Sequence, residues 1–330
     1  MQTLDRDTER KTIAILKVLS ESAEPLGSIT ISRDLERHGV FLSERAVRYH
    51  LRMTDERGYT EPKGRDGRII TWEGLDELRN ALAPEQVGFI IEKLQLLAFQ
   101  TTFDPNRRTG LVPVNTSLFR ADDFRNALQE MQPAFDRNLC ASRLVSVAHE
   151  GEKLGTRVVP AGMVGLATVC GVVVNGVLLK SSVPIESRFG GVLELKSGRP
   201  RRFVAIIKYD GTSLDPSEQY IRAGMTDVRN AAESGTGRIL ANFREILAPS
   251  RVVVERRIEE LRAAGIHGVY LLGNTSEPIC QIEVGMNKVG MILLGGLNPV
   301  AAAAEAGIEV ENSAESGLID YERLVDISHI

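Results

Sequence analysis

A pattern recurs in this chain at an interval of about 125 residues, and it restricts the fold more than any other feature. Met163-Val164-Gly165 leads to Cys170-Gly171, to Pro184-Ile185-Glu186 and to Gly190-Gly191-Val192-Leu193-Glu194-Leu195. Lys288-Val289-Gly290 leads in the same order to Gly295-Gly296, to Glu309-Val310-Glu311 and to Ser316-Gly317-Leu318-Ile319-Asp320-Tyr321. One inserted residue near the end accounts for the only change of spacing. Upstream, Thr102-Phe103-Asp104-Pro105 echoes Ser213-Leu214-Asp215-Pro216 more weakly, and Gly110 through Asn115 can be laid on Gly237 through Asn242. The reading is a tandem duplication with halves near 85–198 and 205–325, two similar α/β (α+β) units packed about a pseudo-twofold axis. The competing explanation is chance likeness among glycine-rich strand ends. Duplicated halves leave a cleft at their junction, a favoured place for a small ligand.

Residues 1–82 have a different texture, with a boundary at Ala83-Pro84. Ile13, Leu16, Val18 and Leu19 follow helical spacing after Asp5 or Asp7 as a cap. Pro25 and Gly27 break that helix. Ser28 is suited to cap a second, with Ile29, Ile31 and Leu35 apolar, ending at His38-Gly39. Ser43 caps a third, stopped by Gly58. On it Arg45, Arg48, Tyr49 and Arg52 share one face, while Val47, Leu51 and Thr54 share the opposite one. Two short strands follow, Tyr59 to Lys63 and Arg68 to Trp72, around a tip at Gly64-Arg65-Asp66-Gly67. A last helix spans Glu73–Leu82. This is the order of a winged helix-turn-helix. An arginine-bearing helix suits the major groove, because guanidinium bonds guanine edges or clamps phosphates. Ser43, Arg45, Arg48, Tyr49 and Arg52 on the helix, with Lys63, Arg65 and Arg68 on the wing, are the expected DNA contacts. The competing readings are a solvated arginine face, or a winged helix that meets protein.

The formal charge of the chain is −4, which excludes a protein that coats polyanions by bulk positive charge. Residues 1–82 carry a net of −1, but 43–68 hold seven basic against five acidic side chains. Val158–Leu179 is uncharged, yet Pro160, Gly162, Gly165, Gly171, Asn175 and Gly176 interrupt it. We read it as short buried strands broken by turns rather than a membrane span. With no apolar leader at the start, the chain reads as cytoplasmic. Cys140, Cys170 and Cys280 form no C-x-x-C pair, and the five histidines are scattered, so no disulfide framework or metal site is expected. Cys170 reads as a small buried core residue. No phosphate-binding, dinucleotide-binding or nucleophile-elbow motif is present, and no enzyme is expected.

Several strings are distinctive: Val169-Cys170-Gly171, Asn175-Gly176-Val177-Leu178-Leu179-Lys180, Ser187-Arg188-Phe189-Gly190-Gly191, Ile207-Lys208-Tyr209-Asp210-Gly211-Thr212, Ile239 through Ile246, and Gly295-Gly296-Leu297-Asn298-Pro299. Together with the preceding winged helix they resemble the NrpR family of nitrogen-regulatory transcriptional repressors, over about residues 8–325. The resemblance implies a winged helix in 1–82 and one NrpR-type regulatory domain in 83–330. It also implies a homodimer or higher oligomer on palindromic operator DNA, released by 2-oxoglutarate, acting alone or with a second regulator of the family. An adaptor that binds effector and contacts protein through its winged helix is the alternative. Such an effector needs donors at two carboxylates. Arg188, beside the backbone N–H groups of Gly190-Gly191, and Arg244 with Asn242 are the first candidates, then Lys180, Tyr209 and Thr212. Arg188 and Arg244 are equally suited to pair with acids across the half–half junction.

Overall fold

A computed structural model of the chain describes residues 6–22, 24–37, 40–85, 90–155 and 157–330. The expected stops at Asp5 and at His38-Gly39 lie outside the described residues. The chain divides into two compact units, 1–88 and 89–330.

In the first unit, α1 (Arg6–Ser20), α2 (Ser28–Arg37) and α3 (Glu44–Glu56) are followed by β1 (Thr60–Pro62), β2 (Arg68–Ile70) and α4 (Trp72–Glu85). Ile15, Val18, Leu19, Ile31, Leu35, Leu42, Val47 and Leu51 form one buried cluster. Each helix thus contributes one apolar stripe to a shared core. Ile29 departs from expectation and is 60% exposed, because the α2 stripe runs through Ile31 and Leu35 instead. Ser28 also departs. It is the first helical residue, and its hydroxyl donates to Glu44 and accepts from Arg48, tying α2 to α3. Thr71 caps α4 by accepting from the Gly74 N–H at 3.0 Å. Leu26 pairs with Arg68 through both backbone groups and adds a third short edge to the wing. At Gly67, with φ of +119°, a Cβ would lie 2.2 Å from the Leu26 carbonyl oxygen, so only glycine fits.

The second unit opens with α5 (Ile90–Gln100). Then come β3 (Leu111–Arg120), α6 (Phe124–Asp136), β4 (Leu144–Ala148), the short pair β5 (Lys153–Leu154) and β6 (Arg157–Val158), β7 (Met163–Val169), α7 (Val172–Lys180), β8 (Ile185–Lys196) and β9 (Arg199–Lys208). After these come α8 (Pro216–Arg222), α9 (Val228–Ser234), β10 (Gly237–Leu247), α10 (Arg251–Ala263), β11 (Val269–Thr275), β12 (Lys288–Leu294), α11 (Asn298–Glu305), β13 (Val310–Asp320) and β14 (Val325–Asp326). Two five-stranded antiparallel sheets result, ordered β11-β12-β10-β8-β9 and β13-β3-β7-β4-β14.

The duplication is visible in the registers. Val114 faces Val169 across β3 and β7, and Ala241 faces Leu294 across β10 and β12. Ala241 also faces Gly191 on β8, as Val114 faces Gly317 on β13. The set β3, α6, β4, β7, α7, β8 therefore returns as β10, α10, β11, β12, α11, β13. The halves are interlocked in space. The last strand of each joins the sheet of the other, so β8 pairs with β10 and β13 with β3. Both apolar cores draw side chains from both halves. The upstream echo goes no further: Asp104 heads a turn closed by Thr109, whereas Asp215 caps a helix.

The expected run of short strands over Val158–Leu179 is corrected in its second part. Val172–Lys180 is a helix in which the residues from Val172 to Leu178 are all buried. A fully buried helix lacks the one-faced periodicity that separates helix from strand, and burial overrides the low helix propensity of valine. Gly176 is a packing glycine there, since a Cβ would meet the Thr101 side chain at 2.5 Å.

Candidate functional site

The outer face of α3 carries the first set of candidates. Ser43 is its N-cap and accepts from the Ala46 N–H at 3.3 Å. Val47, His50, Leu51 and Thr54 turn inward, leaving Arg45, Arg48, Tyr49 and Arg52 exposed. Arg48 is engaged with Glu44 and Ser28, and the Glu44 carboxyl is held below its ordinary pKa by these same hydrogen bonds, Arg48 first. Lys63 donates to Glu61, and Arg65 stands exposed at the wing tip. Arg68 points inward. Its Nε donates to both carboxylate oxygens of Asp55, at 3.0 and 2.8 Å, and so fastens the wing to α3. The surface offered to a ligand is thus Arg45, Tyr49 and Arg52 with Arg65.

The second set converges in the second unit, on the pseudo-twofold axis. A small cavity of about 20 Å³ is lined by Asn115 and Asn242, by Gly171 with Val172 and Gly296 with Leu297, and by Cys170, Tyr209, Asp215, Arg244 and Glu315. The asparagines occupy equivalent places in the two halves. Asn242 accepts from the Tyr209 hydroxyl at 2.6 Å, and Asn115 accepts from the Glu315 N–H at 3.1 Å. The N-terminal ends of α7 and α11 both open on this space, which gives it a positive backbone field.

Arg244 is the central group. It is 1% exposed. Its guanidinium sits 4.9 Å from the Tyr209 ring centroid, donates to the Phe243 carbonyl at 3.2 Å and reaches Asn175 at 3.5 Å. No carboxylate lies within 4.0 Å of it among the described residues. A buried cation without a counter-ion is costly unless an anion completes it. Burial pushes the Asp215 carboxyl up to about 6 and, with the Asp215 charge adding to burial, Glu315 up to about 8. Burial likewise raises the Tyr209 phenol and the Cys170 thiol, so Cys170 is an inert wall residue.

The cavity thus gathers Tyr209, Asn242 and Arg244 from the six residues singled out in the sequence. Arg188 lies elsewhere, half-exposed. It lines a second, larger cavity of about 910 Å³ and pairs with Glu186 and, at 3.6 Å, with Glu245 from β10 across the junction. Lys288 binds the same two acids. Gly190 and Gly191 are central strand residues whose absent side chains make room for Pro216 and Phe203; they are packing glycines, not an anion cradle. Lys180 lies at the far end of α7, about 12 Å along it from Val172, and donates to the Phe99 carbonyl. The Thr212 hydroxyl is spent within its own turn, against Leu214. Glu315, Asp215, Asn115 and Asn175 escaped sequence reasoning as site residues. Asn115 and Asp215 stand in the upstream echoes of the repeat; nothing in the sequence around Glu315 signals it.

Residues 87–326 match the family model of NrpR regulatory domains NRD1 and 2, and residues 13–78 match that of the ribonuclease R winged-helix domain. The chain is 36% identical to a global nitrogen regulator NrpRI of Methanosarcina mazei, over 98% of this chain and 100% of that one. The chain belongs to the NrpR family. It is a transcriptional regulator of the nitrogen-related kind. Two larger NrpR relatives are matched over about half their length. The global nitrogen regulator NrpR of Methanocaldococcus jannaschii is 32% identical over 96% of this chain and 55% of its own, and that of Methanococcus maripaludis 29% over 93% and 54%. A crystal structure of a nitrogen repressor-like protein from Methanococcus jannaschii superposes with a TM-score of 0.62 at 26% identity, covering 73% of this chain and 99% of that one. No helix among the described residues is long and apolar enough to cross a membrane.

Proposed function

We propose that this chain is a DNA-binding repressor of nitrogen-assimilation genes, released from its operator by 2-oxoglutarate bound in the axial cavity of the regulatory unit. The observation that carries this reading is Arg244, a buried guanidinium without an acid partner among the described residues, on a polar space that two helix N-termini also face. Tyr209 and Asn242 supply neutral polar groups beside it. A space of about 20 Å³ admits one water, and 2-oxoglutarate is several times larger. The effector therefore selects a conformation with the cavity opened, and shifts the population toward it by its differential affinity.

The opening element is α5. Ile90, Leu94, Leu97 and Ala98 pack on Cys170, Val172 and Tyr209, over the cavity wall. The chain leads from α5 through residues 86–89 into α4 of the winged helix. In a homodimer on a palindromic operator, two recognition helices must sit about 34 Å apart, or a multiple of it. The effector binds better to a conformation in which that spacing is wrong. A coupling of about 1–3 kcal/mol weakens DNA binding roughly 5–150-fold.

The test is a gel shift with the chain's own upstream DNA at fixed salt, with and without 2-oxoglutarate. Binding that millimolar 2-oxoglutarate reverses is the expected result. The double variant Arg45→Ala, Arg52→Ala should shift the DNA more weakly at every salt concentration and flatten the salt dependence by about two units of log–log slope. Calorimetric heat with 2-oxoglutarate but no shift with DNA would move the chain to the adaptor class.

A further inference from the structure

Glu315 is 6% exposed and lines the axial cavity, and among the described residues its Oε2 has no hydrogen-bond partner. Its backbone is held at φ of +52°, a left-handed conformation that a side-chain-bearing residue adopts only under constraint. The constraint is visible: its N–H donates to Asn115, and neighbouring Ala314 is pinned on both sides, its N–H by Glu218 at 2.6 Å and its carbonyl by Lys93 at 2.9 Å. The fold bulges β13 here, between Ser313 and Gly317, and so presents this one carboxyl to the cavity.

We propose that Glu315 is a second ligand-holding group of the cavity, working as a neutral carboxyl whose O–H donates to an anionic group of the effector while Arg244 takes the charge. This rests on the effector reading above and assigns the proton state of its site. A buried carboxylate oxygen with no donor is untenable, whereas a carboxyl oxygen carrying hydrogen needs only an acceptor, which a bound carboxylate supplies. The charged groups facing Glu315 come from three elements. Asp215 and Glu218, at the head of α8, raise its pKa; Lys93 on α5 and Arg244 on β10 lower it; burial is the largest influence, and the balance lies near 8. Cys170 and Tyr209 stay uncharged beside it. The sign follows. Below about pH 8 Glu315 holds its proton and donates; above it the group is an anion that repels the ligand. Affinity for an anionic effector is therefore level from about pH 7 to 8 and falls toward tenfold per pH unit beyond.

The experiment is calorimetric titration of the full chain with 2-oxoglutarate from pH 6.5 to 9.5, on the parent and on Glu315→Gln. Glutamine keeps a donor, cannot ionise and tolerates the same backbone; thermal melts establish that the variant is folded. The expected result is a fall in parent affinity above pH 8 that Glu315→Gln abolishes. A parent profile without that fall, or an equal fall in the variant, overturns the role of Glu315 and leaves the effector reading standing. Absence of binding by the parent at every pH overturns both.

Discussion

Ser117 and Arg244 occupy the same place in the two halves of the regulatory unit. Ser117 faces Leu166 across its sheet as Arg244 faces Met291, at equivalent points of the repeat. Around Ser117 the polar demand closes locally, since its hydroxyl donates to Asn312 at 2.7 Å. Around Arg244 it does not close, because a full charge faces amide and carbonyl dipoles instead of an acid. Asn175 of α7, which Arg244 reaches, corresponds to Val300 of α11. Duplication thus supplied a twofold frame with two helix N-termini on one axis. Divergence at a few buried positions made one side of the axis cationic. A symmetric frame gives a cavity; its broken symmetry places a guanidinium on one side of that cavity and a serine hydroxyl at the equivalent place of the other half.

The strongest way to break this comparison is to exchange the side chains that differ. Arg244→Met should lower 2-oxoglutarate affinity by about 2–5 kcal/mol, enough to remove measurable calorimetric heat. It should leave the melting temperature equal or higher, because it also removes an unpaired buried charge. Ser117→Ala, at the equivalent place, should leave the heat within twofold of the parent. Equal losses from both variants would end the idea of a one-sided site.

A smaller effect is expected at Gly176, whose counterpart in α11 is Ala301. Alanine is accommodated there, but at Gly176 it meets Thr101. Gly176→Ala should cost about 1–2 kcal/mol in urea unfolding, the overpacking of about 1–3 kcal/mol being partly offset by a helix-propensity gain near 1 kcal/mol. A stabilised variant would mean that the two second helices are interchangeable.

The smallest effect is at the edge of the β3-containing sheet, where Arg143 donates to Asp326 and ties β14 to β4. Those hydrogen bonds hold the Asp326 carboxyl well below its ordinary value of 3.8. The contribution is therefore present above about pH 4 and lost as pH falls below it. The pair is a third exposed and solvent-screened, so Asp326→Asn should cost at most about 1 kcal/mol at pH 7. The difference in denaturation midpoint between parent and variant should shrink toward pH 2.

Legibility in the sequence followed physical rules that differ between the units. Val47 and Leu51 could be placed because α3 has one wet and one dry face, and periodicity reports such a difference. Val172–Lys180 could not, because both faces are dry. Arg244, Asn242 and Tyr209 stood in distinctive strings, and the cavity joins them. Arg188 and Lys180 stood in equally distinctive strings, yet one is held by Glu186 and Glu245 and the other lies at the wrong end of its helix. Glu315 was invisible, because its place on the cavity comes from a bulge and from what surrounds it, and neither is local in sequence.

The sequence by itself determined the two units, the helix face that bears Arg45, Tyr49 and Arg52, and the repeat with its spacing, because periodicity and self-similarity are local and additive along the chain. Only the tertiary structure decided that the halves exchange their last strands and that Arg68 faces Asp55. It also decided that Arg244 is buried with no acid within 4.0 Å, near a Glu315 whose Oε2 has no hydrogen-bond partner, among the described residues. Burial and pairing depend on which distant strands meet. A charge in water and a charge in the core are written with the same letter.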